Sequence, residues 1–434
     1  MSQVFPSDYA LRHTLNDELH IHPYEPLTPP ERILYVAMLV TPEQRRMEEG
    51  HLARLADGMG GAEPVRRSDQ VRYEFGDLRL KVERHHEFTR YKFVYHSSVP
   101  LDESPFGSSV LSLLPSGWMA GIPGQLLTAL DMTVLDCPEG IDHASLVERY
   151  AKEFDVDSLA ASQVGRSRGL VLTDFVIRDD GLMRMLVLTR AKLPSQNGRL
   201  LLRLIEMETY RMLAMLALPE ARSLLSQLPE ADQKLTHLTQ AIARGSSMDD
   251  EALLEELTTL AANVEQSVAA NYRRLSASRA YFDLLFKRLQ DLREEPVERV
   301  LSIGGLLSRR LEPARTTCES VSRWLEQLSQ RVSHASDLLR TRIEVRHERQ
   351  NQELLAAMNK RFKLQLRLQQ AAELLSVAIF TYYSVNLVAY VAEELELLAG
   401  MEIDALLIKA VTAPILASAA LLFLFRARRK KYDE

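Results

Sequence analysis

Three groups of residues have types and spacings that support chemistry. In Glu18-Leu19-His20-Ile21-His22-Pro23 two imidazoles stand two positions apart. On a strand that spacing puts both on one face, as metal ligation requires. In Arg84-His85-His86-Glu87 the same spacing separates His85 and Glu87, which on a strand would share a face as metal ligands or as a buried structural pair. The third group is Thr381, Tyr382, Tyr383, Ser384, Asn386 and Tyr390, set inside an apolar run. Hydroxyls and amides in such a place either bond across neighbouring helices or line a wet path for a cation. Tyr383, Ser384, Asn386 and Tyr390 are the pore candidates. Glu393, Glu394, Glu396, Glu402 and Asp404 follow and would concentrate cations at the mouth.

Other chemistry is poorly served. The sequence places no third ligand beside either histidine pair, and no Ser-His-Asp or Cys-His arrangement can be assembled, so an enzyme is not expected. Gly58-Met59-Gly60-Gly61 follows a helical pattern rather than a strand, which makes it a helix stop and not a phosphate loop. Cys137 and Cys318 are the two cysteines of 434 residues, too few for a disulfide framework or a structural zinc site. Cys318 reads as a small helix-packing residue. Fifty-three basic against 59 acidic residues give a formal charge of −6, without the basic excess that nucleic-acid binding needs. At 46% hydrophobic the chain has enough apolar material for a core. Met1 to His20 holds four charges and no apolar export segment.

The elements that would position the third group are two membrane-length runs. Leu374 to Val391 is 18 residues without a charge, Pro or Gly, the least that spans about 30 Å of hydrocarbon. Ala410 to Phe425 is uncharged, and extension to Ala405 adds only Lys409, which can snorkel. The acids between the runs and Arg426, Arg428, Arg429, Lys430 and Lys431 after them orient a hairpin with both termini in the cytoplasm.

Before the first run, Ala314 to Ala399 contains no Pro and no Gly. That permits one helix of about 129 Å. Leu325, Leu328, Val332, Ala335, Leu339 and Ile343, then Leu354, Met358, Phe362 and Leu366, recur at helical spacing. Such a stripe packs on the rest of the cytosolic part or bundles identical stalks in a coiled coil. The cluster Lys360, Arg361, Lys363 and Arg367 reads as a solvated face whose upper part touches anionic headgroups.

Upstream, Arg199 to Leu228 is a strong helical pattern, and Ser247 with Asp250 suggests a capped helix running to about Glu295. Pro296 and Gly304-Gly305 mark a break before the stalk. The first 195 residues alternate. Ile33 to Val40, Val71 to His85, Phe88 to His96, Leu170 to Arg178 and Leu182 to Thr189 read as strands, with a hairpin turn at Asp179-Asp180-Gly181. Thr41-Pro42-Glu43-Gln44 starts a helix with a capping box. Further helices are expected near Gln125 and His143.

Several segments resemble a bacterial family of uncharacterised membrane-anchored proteins that carry one domain of unknown function. They include NDELHIHPYEPL (16–27), VERHHEFTRYKF (82–93), LTDFVIRDDGLMR (172–184) and GRLLLRLIEMETYRMLAMLALPEAR (198–222). PARTTCESVSRWLEQLSQRVSHASDLLRTRIEV (313–345) and QNQELLAAMNKRFKLQLRLQQAAELLSV (350–377) complete them. Where that family commonly has His-Ala-Arg-Pro, this chain has His20-Ile21-His22-Pro23. The resemblance implies a membrane location and no particular activity.

The layout also resembles the CorA-type divalent-cation channels, pentamers whose first spans line the pore. Their Tyr-Gly-Met-Asn signature compares with Tyr383-Ser384-Val385-Asn386 here. The expected architecture is an α+β/α membrane protein in seven parts. They are a cytosolic α/β domain (1–195), a helical region (196–312), a stalk helix (313–373) and a first transmembrane helix (374–392). An acidic periplasmic loop (393–404), a second transmembrane helix (405–425) and a basic cytosolic tail (426–434) follow. The expected setting is a bacterial inner membrane, with the lipid bilayer as partner. A homo-oligomer is expected, a pentamer if CorA-like. No cofactor is implied, apart from a divalent cation as cargo. Two functions follow: a CorA-like cation channel or transporter, or a membrane-anchored scaffold or regulator with a cytosolic partner.

Overall fold

The computed structural model describes residues 9–12, 16, 24–67, 69–96, 104–107, 109–138, 140–244, 250–399 and 405–432. The chain divides into two compact units, Met1–Ser336 and Asp337–Glu434.

Among the described residues the first unit is built on ten strands. They are β1 (Glu31–Leu39), β2 (Val65–Arg67), β3 (Gln70–Phe75), β4 (Leu78–Arg84), β5 (Phe88–His96) and β6 (Gln125–Asp136). The rest are β7 (Ala160–Val164), β8 (Gly169–Thr173), β9 (Met183–Thr189) and β10 (Glu295–Pro296). They form one sheet in the order β10-β7-β8-β9-β6-β1-β5-β4-β3-β2. The β6–β9 pair is parallel and the other ladders are antiparallel.

One face of the sheet carries two apolar cores. Leu34, Val36, Leu80, Val82, Tyr91 and Phe93 pack with Leu52 and Leu55 of helix α1 (Pro42–Gly58) and with Trp118. Farther along, Leu135, Leu170, Leu186 and Leu188 pack with Leu146, Val147 and Tyr150 of helix α2 (His143–Tyr150). The α1 start is as expected: the Thr41 side chain caps Gln44, and the Gln44 side chain caps Thr41 in return. The helix ends at Gly58, and Gly60 and Gly61 take positive φ.

The opposite face is covered by helix α3 (Pro194–Met215), which packs on helix α5 (Asp250–Leu292); α4 (Leu218–Arg244) also packs on α5. The expected single helix through Arg199 to Leu228 therefore divides after Met215. Pro219 falls in the first turn of α4, where its missing N–H costs nothing. Ser247 lies outside the described residues.

Two more expectations change. Gln125 starts a twelve-residue strand, not a helix, because the run pairs with β1 over Gln125–Val134 and with β9 over Leu130–Asp136. Val71 to His85 is a hairpin: Gly76 at φ 62° turns β3 into β4.

Helix α6 runs from Ile303 to Ala399. Gly304 and Gly305 sit in its first turn and do not break it. The Ser302 hydroxyl accepts from Gly305 N–H at 3.0 Å, and the Glu294 carboxylate accepts from Gly304 N–H at 2.9 Å. A Cβ on Gly304 would overlap that carboxylate. An acid on the free N–H groups of a helix start is favourable, so glycine here admits a cap. Within the first unit, Leu325, Leu328, Val332 and Ala335 are buried. Leu325 and Leu328 floor a groove of about 960 Å³ between α4 and α5.

In the second unit α6 continues, and helix α7 (Ala405–Tyr432) lies antiparallel to it. Phe423 shares a groove with Gln369 and Ala372, and Ala413 shares one with Val385 and Asn386. The apolar stripe changes character here: Leu354, Met358 and Phe362 are all exposed. One stretch of α6 is long and apolar enough to cross a membrane, yet only 6% of it is buried. Lys409–Phe423 is a shorter apolar helix.

Candidate functional site

Strand β4 alternates Leu78, Leu80 and Val82 with Arg79, Lys81 and Glu83. β5 does the same with Tyr91 and Phe93 against Arg90 and Lys92. Alternation puts the apolar set into the first core and the charged set on the α3 face. There the charges are not left in water, since Lys81, Glu83 and Arg90 are each buried. A Cβ on Gly198 of α3 would overlap the carbonyl oxygen of Glu25, so this glycine lets the helix settle close over the layer.

The layer is closed by ion pairs. Glu83 receives Lys81 at 2.7 Å on one oxygen and Arg90 at 2.6 Å on the other. Glu25 binds Lys92 at 2.8 Å, and Arg79 bridges Glu25 at 3.4 Å and Glu31 at 2.6 Å. The Thr209 hydroxyl donates to Ile205 C=O, leaving its oxygen to accept from Tyr35 at 2.5 Å. Farther along α3, Glu206 holds Arg288 of α5 at 2.5 Å, and Glu208 holds Arg211 and the Thr128 hydroxyl.

Burial moves the acid–base behaviour of these groups. It pushes the Lys81 ammonium down to about 8, against the pull of Glu83. It pushes the Glu31 carboxyl up to about 7, against the pull of Arg79. For Glu25 burial acts upward too, but Lys92, Arg79 and Lys81 together outweigh it and hold the carboxyl low. On the other face, between the two cores, buried Asp131 is raised to about 6 by desolvation despite Arg32 and Arg184.

The expected site residues fall elsewhere. His20 and His22 lie outside the described residues. His85 and Glu87 are not on a strand; they form the turn between β4 and β5. The His85 ring stacks on Phe88 at 4.4 Å, and the His85 backbone N–H donates to Phe88 C=O at 2.8 Å. Glu87 binds Arg273 at 3.1 Å and Arg274 at 3.3 Å on α5. Arg84 holds the buried Glu48 of α1 at 2.7 Å. The motif thus stitches one turn to two helices. Among the described residues no three of His, Cys, Asp and Glu gather as a metal site.

Of the pore candidates, Asn386 lines a groove against α7 together with Thr381 and Tyr382. Its amide donates to Tyr382 C=O at 3.0 Å. Tyr383 and Tyr390, about two turns apart, are exposed, and Ser384 is half-buried beside them. Glu393, Glu394 and Glu396 stand on the last turns of α6 rather than in a loop. Glu and Leu are strong helix formers, and no breaker comes before Gly400. Glu402 and Asp404 lie outside the described residues.

The buried charge layer was not singled out in the sequence. Its signal was present as charges alternating with core residues on two adjacent strands. Recognising it also requires the apolar face of α3, carried by Leu201, Leu204 and Ile205.

Comparison with known proteins adds a family. The model of the family described as "Protein of unknown function (DUF3422)" matches residues 7–431. No curated protein matches the chain.

Proposed function

The chain belongs to the DUF3422 family, and from that premise we propose that it is a membrane-anchored scaffold or regulator, with the sheet unit as its cytoplasmic working part. The carrying observation is the apolar stretch of α6 of which only 6% is buried. Apolar side chains left outside a fold call for an apolar solvent, and Leu374 to Val391 has the length for a bilayer. In this reading α6 and α7 form a transmembrane hairpin, the acids between them face the periplasm, and both chain ends stay inside.

The polar groups of the stretch fit an anchor. Ser376 donates to Ala372 C=O at 2.9 Å, Thr381 to Val377 C=O at 2.8 Å, and Asn386 to Tyr382 C=O. Each of these three satisfies a hydrogen within its own helix, as side chains of an anchor helix do.

Cysteine labelling in intact cells tests the topology. Gly400→Cys should react with a membrane-impermeant maleimide from outside, and Asp433→Cys should not. Cys137 and Cys318 are buried and give little background. Labelling of both positions, or of neither, overturns the hairpin.

A CorA-like homo-oligomeric cation channel is the second reading. The amide of Asn386 within the apolar stretch favours it, because an amide oxygen can replace water around a cation. The mass of the detergent-solubilised protein separates the readings: a pentamer supports the channel, a monomer or dimer the anchor.

A further inference from the structure

A cavity of about 230 Å³ opens where the β7–β8 turn, the end of β9, the first turns of α3 and the end of α5 meet. Three arginines line it: Arg168 from the turn, and Arg199 and Arg203 one helical turn apart on α3. Among the described residues no Asp or Glu lines it. Four other arginines on this side of the sheet are neutralised: Arg79, Arg90, Arg211 and Arg288 each hold a carboxylate at 2.5–2.7 Å. Among the described residues Arg168 and Arg203 make no ion pair. Arg199 has the face of Tyr24 at 4.9 Å and, among the described residues, no carboxylate.

The frame around these guanidinium groups is fixed. Gly165 N–H donates to Leu292 C=O at 3.0 Å, and the Ser167 hydroxyl to Glu295 at 2.8 Å, so the turn is tied on both sides of Arg166. Arg168 C=O accepts from Arg190 N–H at 2.7 Å. Asn197, below the cavity, spends its amide on Thr189, Leu27 and Ala191 and serves as structure. Three like charges line one small space, and among the described residues no carboxylate lines it with them, on a protein whose net charge is −6.

We infer that this cavity binds a small anion through a phosphoryl group. A guanidinium fork matches two phosphoryl oxygens at once, and three forks suit a dianion with three free oxygens. Leu200, Leu292 and Val164 supply an apolar wall for a short organic part. A volume of about 230 Å³ suits a small phosphate ester. The cavity lies wholly in the sheet unit, so the inference goes beyond the anchoring reading and survives its failure.

Isothermal titration on the purified full-length protein tests it, with inorganic phosphate, pyrophosphate, glycerol 3-phosphate and citrate as probes. A phosphoryl probe should bind saturably, more tightly at low salt, and glycerol 3-phosphate binding more tightly than free phosphate would mark an ester ligand. Arg168→Ala with Arg203→Ala should weaken binding roughly tenfold or more; Arg203→Lys should weaken it less, and Arg222→Ala on exposed α4 should leave it unchanged. The same probe should raise the unfolding temperature of the wild type and not of the double variant, whose own unfolding temperature should match the wild type without ligand. No saturable heat from any phosphoryl probe, binding that survives the double substitution, or citrate binding more tightly than every phosphoryl probe overturns the inference.

Discussion

The sheet unit and the helix pair treat the same residue types in opposite ways. On the sheet, Lys81, Glu83 and Arg90 are buried along with the leucines. In the helix pair, Phe380, Tyr383, Leu387 and Phe423 are exposed, while Ser376 and Thr381 turn inward to their own backbone. Burying charge is tolerated where every group meets a partner of opposite sign. Exposing aromatic rings in quantity is tolerated where the surroundings are not water. The contrast teaches that the two units are solutions to two solvents, the first to water and the second, on the proposed reading, to lipid.

The largest effect should come from breaking the buried charge layer. Arg90→Ala leaves Glu83 with Lys81 alone in a dry site and should cost about 3–5 kcal/mol, read by chemical denaturation of the sheet unit's tryptophan signal. A loss below about 1 kcal/mol would mean that water reaches the layer.

Gly198→Ala should come next. In an ordinary helix that change stabilises by about 1 kcal/mol. Here the new methyl meets the Glu25 carbonyl oxygen, so we expect a loss of about 1–3 kcal/mol. A gain in the unfolding temperature would show that α3 does not sit so close.

A third effect depends on pH. Glu31, raised to about 7 from 4.5, keeps its proton in the folded chain over a range where the unfolded chain has lost it. Its contribution is whole below about pH 4.5 and fades as pH rises to about 7. Glu31→Gln should flatten the stability profile there by roughly 1–2 kcal/mol, seen in unfolding temperatures between pH 5 and 7. An unchanged slope would assign the titration to Asp131, raised to about 6.

The smallest effect belongs to the helix pair. Asn386→Leu should change stability by about 0.6 kcal/mol or less, because the one bond its amide makes among the described residues is to Tyr382 C=O within its own helix. In liposomes the wild type should pass neither Mg²⁺, Zn²⁺, Co²⁺ nor monovalent ions. Flux that collapses in Asn386→Leu would replace the anchor by the channel.

Local signals were legible where one segment suffices. The Thr41 capping box, the strand from Ile33, the turn at Gly181 and the unbroken helix through Leu374 all depend on neighbouring residues, although the strand expected to run from Leu170 to Arg178 ends at Thr173, where the Asp174 carboxylate takes the Val176 N–H. Reading failed where a distant partner decides. Gln125 to Asp136 holds leucines at spacings that suit a helix or a strand, and the choice is made by β1 and β9 on either side. Lys81 and Arg90 alternate with core residues as solvated charges do, and only α3, more than a hundred residues later, removes the water. His85 and Glu87 looked like ligands because their spacing fits a strand. Phe88, one residue on, begins the strand that makes them a turn.

The rims of the sheet have a consequence for self-association. At one rim lies β10, two residues long and ending in Pro296; at the other lies β2, three residues with Arg66 and Arg67. A proline withholds the N–H that an incoming strand would need, and short, charged rims discourage lateral growth. Ribbon-like extension from chain to chain is thereby disfavoured at both rims, so a second copy that docks on this unit would do so by side chains rather than by added strands.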